Sequence, residues 1–176
     1  AVVFLLLHGA LWVAGKTHGE VHARAQAVAR RLWPPAVAVA IAVTVVTFRV
    51  QPNVPAQLAA HPWGWIFPAI AVAGLAGVAG YTRQGRDGRA FLSSCLFLSG
   101  MMASIAFGIF PYMLPAVAGH AHAISIYNAG SGPYARTVAL AWWIPGMVLV
   151  SAYFIYTYRK FAGRVRLDAV SYTHLR

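Results

Sequence analysis

Acidic residues are almost absent from this 176-residue sequence, which contains only Glu20, Asp87 and Asp168. Charged residues of both signs make up 10% of the chain, whereas soluble domains carry about 25%. So little charge cannot cover a water-facing surface, which excludes an ordinary soluble domain. None of the three acids lies within an apolar run, so the usual proton relay of an ion-coupled transporter is missing from this chain.

Cysteine is nearly absent too, because Cys95 is the only one and it lies inside an apolar run. A single cysteine excludes an intrachain disulfide framework and a cysteine-based metal cluster. We interpret Cys95 as a small packed residue. His8 is the only histidine within an apolar run. Two interpretations of it are open: a hydrogen bond to a neighbouring helix, or a haem ligand.

Other residues that could carry chemistry give weak signals. His120 and His122 lie in a predicted external loop and could hold a metal only with ligands from elsewhere. Met101 and Met102 are adjacent and point to different helical faces, which favours packing over ligation. The Gly-Ser-Gly of residues 130–132 lacks the strand and lysine of a phosphate loop and predicts a turn before a helix.

What the sequence does contain is long apolar runs, and 60% of its residues are apolar. The runs are too long and too unalternating for barrel strands, so they predict an all-α polytopic transmembrane bundle. We expect about five spans, with the first truncated because the chain is a fragment: residues 1–14, 33–50, 63–81, 90–110 and 136–158. We predict that residues 1–166 form this membrane region. Residues 167–176, which end in SYTHLR, are interpreted as a non-native tail.

The net charge of +11 lies between the apolar runs. This placement indicates membrane orientation and not nucleic-acid binding. Residues 15–31, 82–89 and those after 158 are basic, and we predict them to be cytoplasmic loops and a cytoplasmic C-terminus. Residues 51–62 and 107–133 contain no lysine or arginine and are predicted external loops.

Prolines and small residues refine the spans. Pro34 and Pro35 predict the first turn of the second span. Pro111 and Pro115 predict the end of the fourth, and Pro145 predicts a kink in the last. Two stripes of small residues predict close helix packing: Ala69, Ala73 and Gly77, and then Gly100, Ser104 and Gly108. Four aromatic residues are predicted at membrane interfaces: Trp63, Trp65, Tyr112 and Tyr127.

Three segments resemble a known family. They are GALWVAGKTHGEVHARA, RAFLSSCLFLSGMMASIAFGIFPYMLP and SIYNAGSGPYARTVALAWWIPGMVLVSAYFIYTYRKFAGRV. In this order and spacing they resemble subunit II of the cytochrome bd-type quinol oxidases, and they are most similar in character to the cyanide-insensitive branch of that family. The resemblance covers the chain to about residue 165. It corresponds to the C-terminal half of such a subunit.

The resemblance implies a place in a bacterial inner-membrane complex that oxidises quinol and reduces dioxygen to water. It implies that b- and d-type haems lie on a partner, subunit I, which subunit II supports. We assign no catalytic, cofactor-binding or metal residue to this chain. Residues 107–133 are expected to pack over neighbouring subunit surface. A fragment of a membrane transporter and a haem-binding membrane anchor using His8 are the alternative interpretations.

Overall fold

The computed structural model describes residues 1–115 and 123–163, and this part of the chain is mostly helical. Its elements are α1 Val2–Lys16, α2 Gly19–Val50, α3 Asn53–Ala60, a 3₁₀ turn Pro62–Trp65, α4 Ile66–Arg83, α5 Asp87–Ile109, β1 Tyr112–Leu114, β2 Ile124–Ser125 and α6 Pro133–Lys160. Four stretches of the described residues are long and apolar enough to cross a membrane: Gly19–Val50, Pro62–Arg83, Asp87–Ile109 and Pro133–Lys160. The predicted transmembrane helix bundle is confirmed.

The described residues divide into two compact units. The first, Ala1–Phe110, contains α1 to α5, and the second, Pro111–Gly163, contains the two strands and α6. In the second unit β1 and β2 pair antiparallel as a short hairpin. Helix α6 runs without interruption through Pro145, and none of its 28 residues is buried.

The core of the first unit is built from small and aliphatic side chains. One cluster joins α1, α2, α4 and α5, and the other joins α4 to α5: Leu7, Leu11, Ala29, Ala36, Val78 and Ala90, then Ala71, Leu75 and Phe97. Phe4 of α1 meets Phe97 edge-on, with ring centroids 5.0 Å apart. Helices in lipid associate through close van der Waals contact, and these small side chains permit it.

The predicted stripe on α4 is wrong at Ala69 and Ala73 and right at Gly77, where an added Cβ would lie 2.7 Å from Oγ of Ser93 on α5. Ala69 and Ala73 are exposed, whereas Ala71 and Gly74 are buried against α5. A Cβ placed on Gly74 would lie 2.4 Å from the backbone nitrogen of Phe97. On α5, Gly100 makes an equally close approach to Ala71. Alanine and glycine occur all round α4, so their spacing alone could not identify the face that meets α5.

The predicted loop over residues 15–31 is also wrong, because α1 continues to Lys16 and α2 begins at Gly19. The segment is rich in alanine and arginine, which favour helix, and Glu20 pairs with Arg24 one turn later. At 1.5 Å per residue the 32 residues of α2 extend about 48 Å. This exceeds the ~30 Å hydrocarbon core of a bilayer, so α2 has room for both an apolar span and a charged first third.

Pro34 and Pro35 lie inside α2 and not in its first turn. Because proline has no N–H, the carbonyls of Arg30 and Arg31 lose their usual helical donors there. The prediction failed because it placed the helix start at the edge of the apolar run. The charged turns before that edge are helical as well.

The predicted loop of residues 51–62 contains a further helix, α3. Val54 and Leu58 are one turn apart and both are buried. The side chain of Val54 meets Gly108 of α5, where an added Cβ would lie 2.8 Å from Cγ1. Packing of these two apolar residues against α5 stabilises a helix too short to persist alone.

Candidate functional site

Buried polar side chains of the first unit meet at one end. Asp87, the first residue of α5, is only 5% exposed. Its Oδ1 accepts a hydrogen bond from Nε2 of Gln26 at 2.8 Å. Nδ1 of His22 lies 3.8 Å from the other carboxylate oxygen. The α1–α2 and α4–α5 connections therefore lie at the same end of the unit.

This end is also where the cations of the first unit concentrate, and we call it the basic end. Its members are Lys16, Arg24, Arg30, Arg31, Arg83, Arg86 and Arg89. The sequence placed these cations in two loops on the same side of the membrane. The contacts from Gln26 and His22 to Asp87 join those two segments.

The geometry assigns a proton to His22. Its Nδ1 lies 2.8 Å from the carbonyl oxygen of Ala14, and a carbonyl can only accept, so Nδ1 must carry hydrogen. The ring therefore joins the last turns of α1 to α2 and lies beside the buried Asp87 carboxylate. The pair is the arrangement closest to acid–base chemistry within the described residues.

His8 has a different setting, at the contact between α1 and α5. Ser94 Oγ lies 2.6 Å from the carbonyl oxygen of Phe91 and donates its single proton there. His8 Nδ1, 2.8 Å from the same Oγ, is therefore the donor in their hydrogen bond. The His8 ring also packs against the Phe91 ring, with centroids 4.8 Å apart. The predicted hydrogen bond to a neighbouring helix is confirmed.

The other candidates do not come together. Cys95 is a half-buried free thiol, and Met102 is 68% exposed while Met101 packs on the second core cluster. His120 and His122 lie outside the described residues, as do residues 167–176. Within residues 1–115 and 123–163, no three His, Cys, Asp or Glu side chains are placed to hold a metal ion.

The start of the second unit is organised by Asn128. Its Oδ1 accepts from the backbone N–H of Ser125 at 2.7 Å, and its Nδ2 donates to the carbonyl of Ala123 at 2.8 Å. These bonds close the turn after β2, which leaves Tyr127 78% exposed. The Tyr-Asn-Ala sequence thus forms a fixed turn that presents an aromatic side chain.

Sequence reasoning missed the contribution of Gln26 and Asp87. Both were assigned to solvated loops, and only their contacts across 61 residues reveal a buried pair. A signal was available for Asp87, because an acid favours the first turn of a helix, where the helix dipole is positive. No comparable signal marks Gln26.

Comparison with known proteins identifies the chain. The family described as cytochrome bd terminal oxidase subunit II matches residues 1–161, and these include every described helix. The chain belongs to this family.

A curated member of the wider group gives a second finding. A probable cytochrome oxidase subunit 2 of Haemophilus influenzae is 31% identical over 105 residues. The aligned part spans 60% of this chain and 27% of that relative. As a subunit II family member with four apolar helices of spanning length, the chain is a multi-pass membrane protein.

Proposed function

We propose that this chain is a membrane subunit of a quinol:dioxygen oxidoreductase that supports the haem-bearing subunit I and ligates no haem itself. The match to the subunit II family across residues 1–161 carries the proposal. In this role the chain holds the helices of subunit I in place, and the electron transfer from quinol to dioxygen occurs on the partner.

The surroundings of His8 favour this division of labour. A haem needs an axial ligand beside a cavity large enough for the macrocycle. His8 is hydrogen bonded to Ser94 and lies against Phe91, and it does not line either the cavity between α2 and α4 or the larger apolar cavity of the first unit. This setting supports the proposal that His8 is not a haem ligand.

The surface of the second unit supports a role in assembly. Helix α6 exposes large aromatic side chains along its length, among them Trp142 at 79% and Tyr153 at 62%. Aromatic residues are enriched at the centres of protein interfaces. We infer that residues 107–133, which include Tyr127 on its fixed turn, pack on subunit I. A photo-crosslinking amino acid at position 127 should capture subunit I, and capture of lipid alone would contradict the inference.

We further propose the bacterial inner membrane as the location, with the basic end of the first unit and the C-terminus cytoplasmic. Arg159 and Lys160 in the last turn of α6 support this orientation, because cytoplasmic flanks of spans carry lysine and arginine. A single cysteine placed in the α4–α5 turn should react with a membrane-impermeant thiol reagent only after the cells are permeabilised, because only then does the reagent reach the cytoplasmic side.

The test of function compares the full-length subunit expressed alone with the same subunit expressed beside subunit I. We expect no haem Soret band from the subunit alone. Co-expression should give a complex that consumes dioxygen with quinol, and His8→Ala should leave its spectrum unchanged. A Soret band from the subunit alone that disappears in His8→Ala would overturn the proposal in favour of the haem-anchor alternative.

A further inference from the structure

A second polar feature of the basic end is independent of the Asp87 pair. A cavity of about 360 Å³ opens between α2 and α4, lined by Ala29, Arg30, Trp33, Pro34, Val78, Ala79, Thr82 and Arg83. Two arginines and one threonine stand at its polar side, and the remaining lining residues are apolar. This pattern differs from the packed interfaces elsewhere in the unit.

The hydroxyl of Thr82 is the unusual group. Thr82 is 5% exposed, and its Oγ1 is buried with no hydrogen-bond partner among the described residues. By contrast, the helical hydroxyls of Thr44 and Ser104 each donate to the backbone carbonyl four residues earlier. A buried polar group without a partner calls for a ligand or ordered water to complete it.

The two arginines supply positive charge beside this hydroxyl. Arg30 donates one guanidinium nitrogen towards the Thr82 carbonyl and the Gln26 side chain, at 3.5 Å each. A guanidinium has five N–H donors, so most remain available for another acceptor. The salt bridges within the described part of the chain join Glu20 to Arg24 and His22 to Asp87, and neither uses Arg30 or Arg83.

The apolar side of the cavity continues along the membrane. Trp33 lines this cavity and also a larger one of about 590 Å³, whose walls reach Phe48 on α2 and Ile109 on α5. The larger cavity is walled almost wholly by apolar side chains of α2 to α5. Trp33 thus borders both a cavity with two arginines and a larger, mainly apolar cavity. A ligand that fills both needs an anionic head group and an apolar tail, which a soluble inorganic anion lacks.

We propose that this cavity binds the phosphate head group of an anionic phospholipid. The guanidinium groups of Arg30 and Arg83 bind the phosphate, and the Thr82 hydroxyl donates a hydrogen bond to it. An acyl chain of the same lipid extends past Trp33 into the larger cavity. Basic pockets between helices near a membrane surface are suited to anionic head groups. The proposed lipid site is independent of the proposed oxidase role, because all of its residues lie in the first unit and none of them is assigned a part in that role.

The test uses the full-length protein purified with its partner in mild detergent, and measures retained phosphatidylglycerol and cardiolipin by mass spectrometry. We expect Arg30→Gln and Arg83→Gln each to lower the retained anionic lipid about fivefold. Thr82→Val, which removes only the hydroxyl, should lower it by a smaller factor. Arg31→Gln is the matched control, because Arg31 is a neighbouring exposed arginine that does not line the cavity. Equal loss in Arg31→Gln would show general surface charge and overturn the site.

A second measurement uses no arginine variant, so it remains valid even if Arg30→Gln or Arg83→Gln fails to fold. In nanodiscs, anionic phospholipid brominated on its acyl chain should quench wild-type tryptophan fluorescence more than that of Trp33→Phe. The neutral brominated lipid should quench both proteins equally. Inorganic phosphate should leave the anionic-lipid quenching unchanged, and if phosphate at millimolar concentration abolishes it, the site binds soluble anions and the lipid assignment is wrong. Equal quenching by both lipids would also overturn it.

Discussion

Helices α5 and α6 are both apolar and long enough to cross a membrane, yet only α5 buries side chains. Gly100 and Gly108 of α5 lie so close to neighbouring atoms that an added Cβ would overlap them. At Gly146 of α6 no atom of residues 1–115 or 123–163 lies within 4 Å of such a Cβ. Around Gly146 the exposed residues are large, including Trp143 and Met147.

This contrast separates two properties that apolar composition combines. Hydropathy decides whether a helix enters a bilayer, because apolar side chains are more stable in hydrocarbon than in water. In this respect α5 and α6 are alike. Whether two helices then pack depends on how closely their backbones approach, since lipid competes equally for any apolar side chain. α5 has small residues at its contacts, and α6 carries a surface suited to lipid or to another subunit.

The largest effect is expected at Gly74, which lies on α4 where this helix contacts α5. Gly74→Ala places a methyl group 2.4 Å from the Phe97 backbone nitrogen, so the helices must separate. We expect a loss of about 3 kcal/mol in the free energy of unfolding, at the upper end of overpacking effects. Unfolding of the full-length protein in mixed micelles measures it. Gly80→Ala is the control on the same helix, because no atom in the described part of the chain lies within 4 Å of a Cβ added there.

The next effect is expected at Asp87, where the packed unit buries a charge. Asp87→Leu leaves the Gln26 amide without its acceptor and should cost about 2 kcal/mol in the same unfolding assay. Asp87→Asn keeps an oxygen for Gln26 and should cost less. Glu20→Gln serves as the comparison, since that carboxylate is 77% exposed and its removal should have no measurable effect. Equal effects at positions 87 and 20 would mean that the Asp87 contacts do not contribute to stability.

A smaller effect is expected at Trp33, which joins α2 to α4. Its Nε1–H donates to the Leu75 carbonyl at 2.8 Å. Trp33→Phe keeps an aromatic ring and removes this donor, so the free energy of unfolding should fall by about 1 kcal/mol. The same change at exposed Trp63 should lower stability less. If Trp63→Phe costs as much, general aromatic packing and not this hydrogen bond explains the loss.

The smallest effect is expected at Gly146 of α6. Gly146→Ala adds a methyl group that meets no atom of the described residues, and it replaces the weaker helix former. Stability should therefore stay within about 1 kcal/mol of the wild type. The unfolding assay used for Gly74→Ala measures it. A loss as large as that of Gly74→Ala would show that α6 packs as tightly as α5, and the contrast between them would disappear.

Much of the fold could be predicted from the sequence, and the limits have physical causes. Spans were found because a membrane requires long apolar runs, and the end of α5 was found because Pro111 cannot continue a helix. The start of α2 and the presence of α3 were missed, whereas the end of α2 at Val50 agrees with the prediction. Helical structure outside the apolar core depends on packing partners, such as Gly108 for Val54.

The candidate site was less predictable than the fold. His8 could be interpreted as a helix-bridging histidine because a polar group in a span needs a partner. The Asp87 pair and the cavity at Thr82 could not be found, because each joins residues from α2 with residues about 50 to 60 positions further along the chain. Spacing along one helix contains no information on such pairs.

The sequence by itself determined that this protein is a helical membrane protein of the subunit II family. Apolar run length and family motifs are properties of the linear chain. Only the tertiary structure decided that Ala71 and Gly74, and not Ala69 and Ala73, face α5, and that Asp87 is buried beside Gln26 and His22. These outcomes depend on which backbones approach within a few ångströms, and that is fixed by the packing of all five helices of the first unit together.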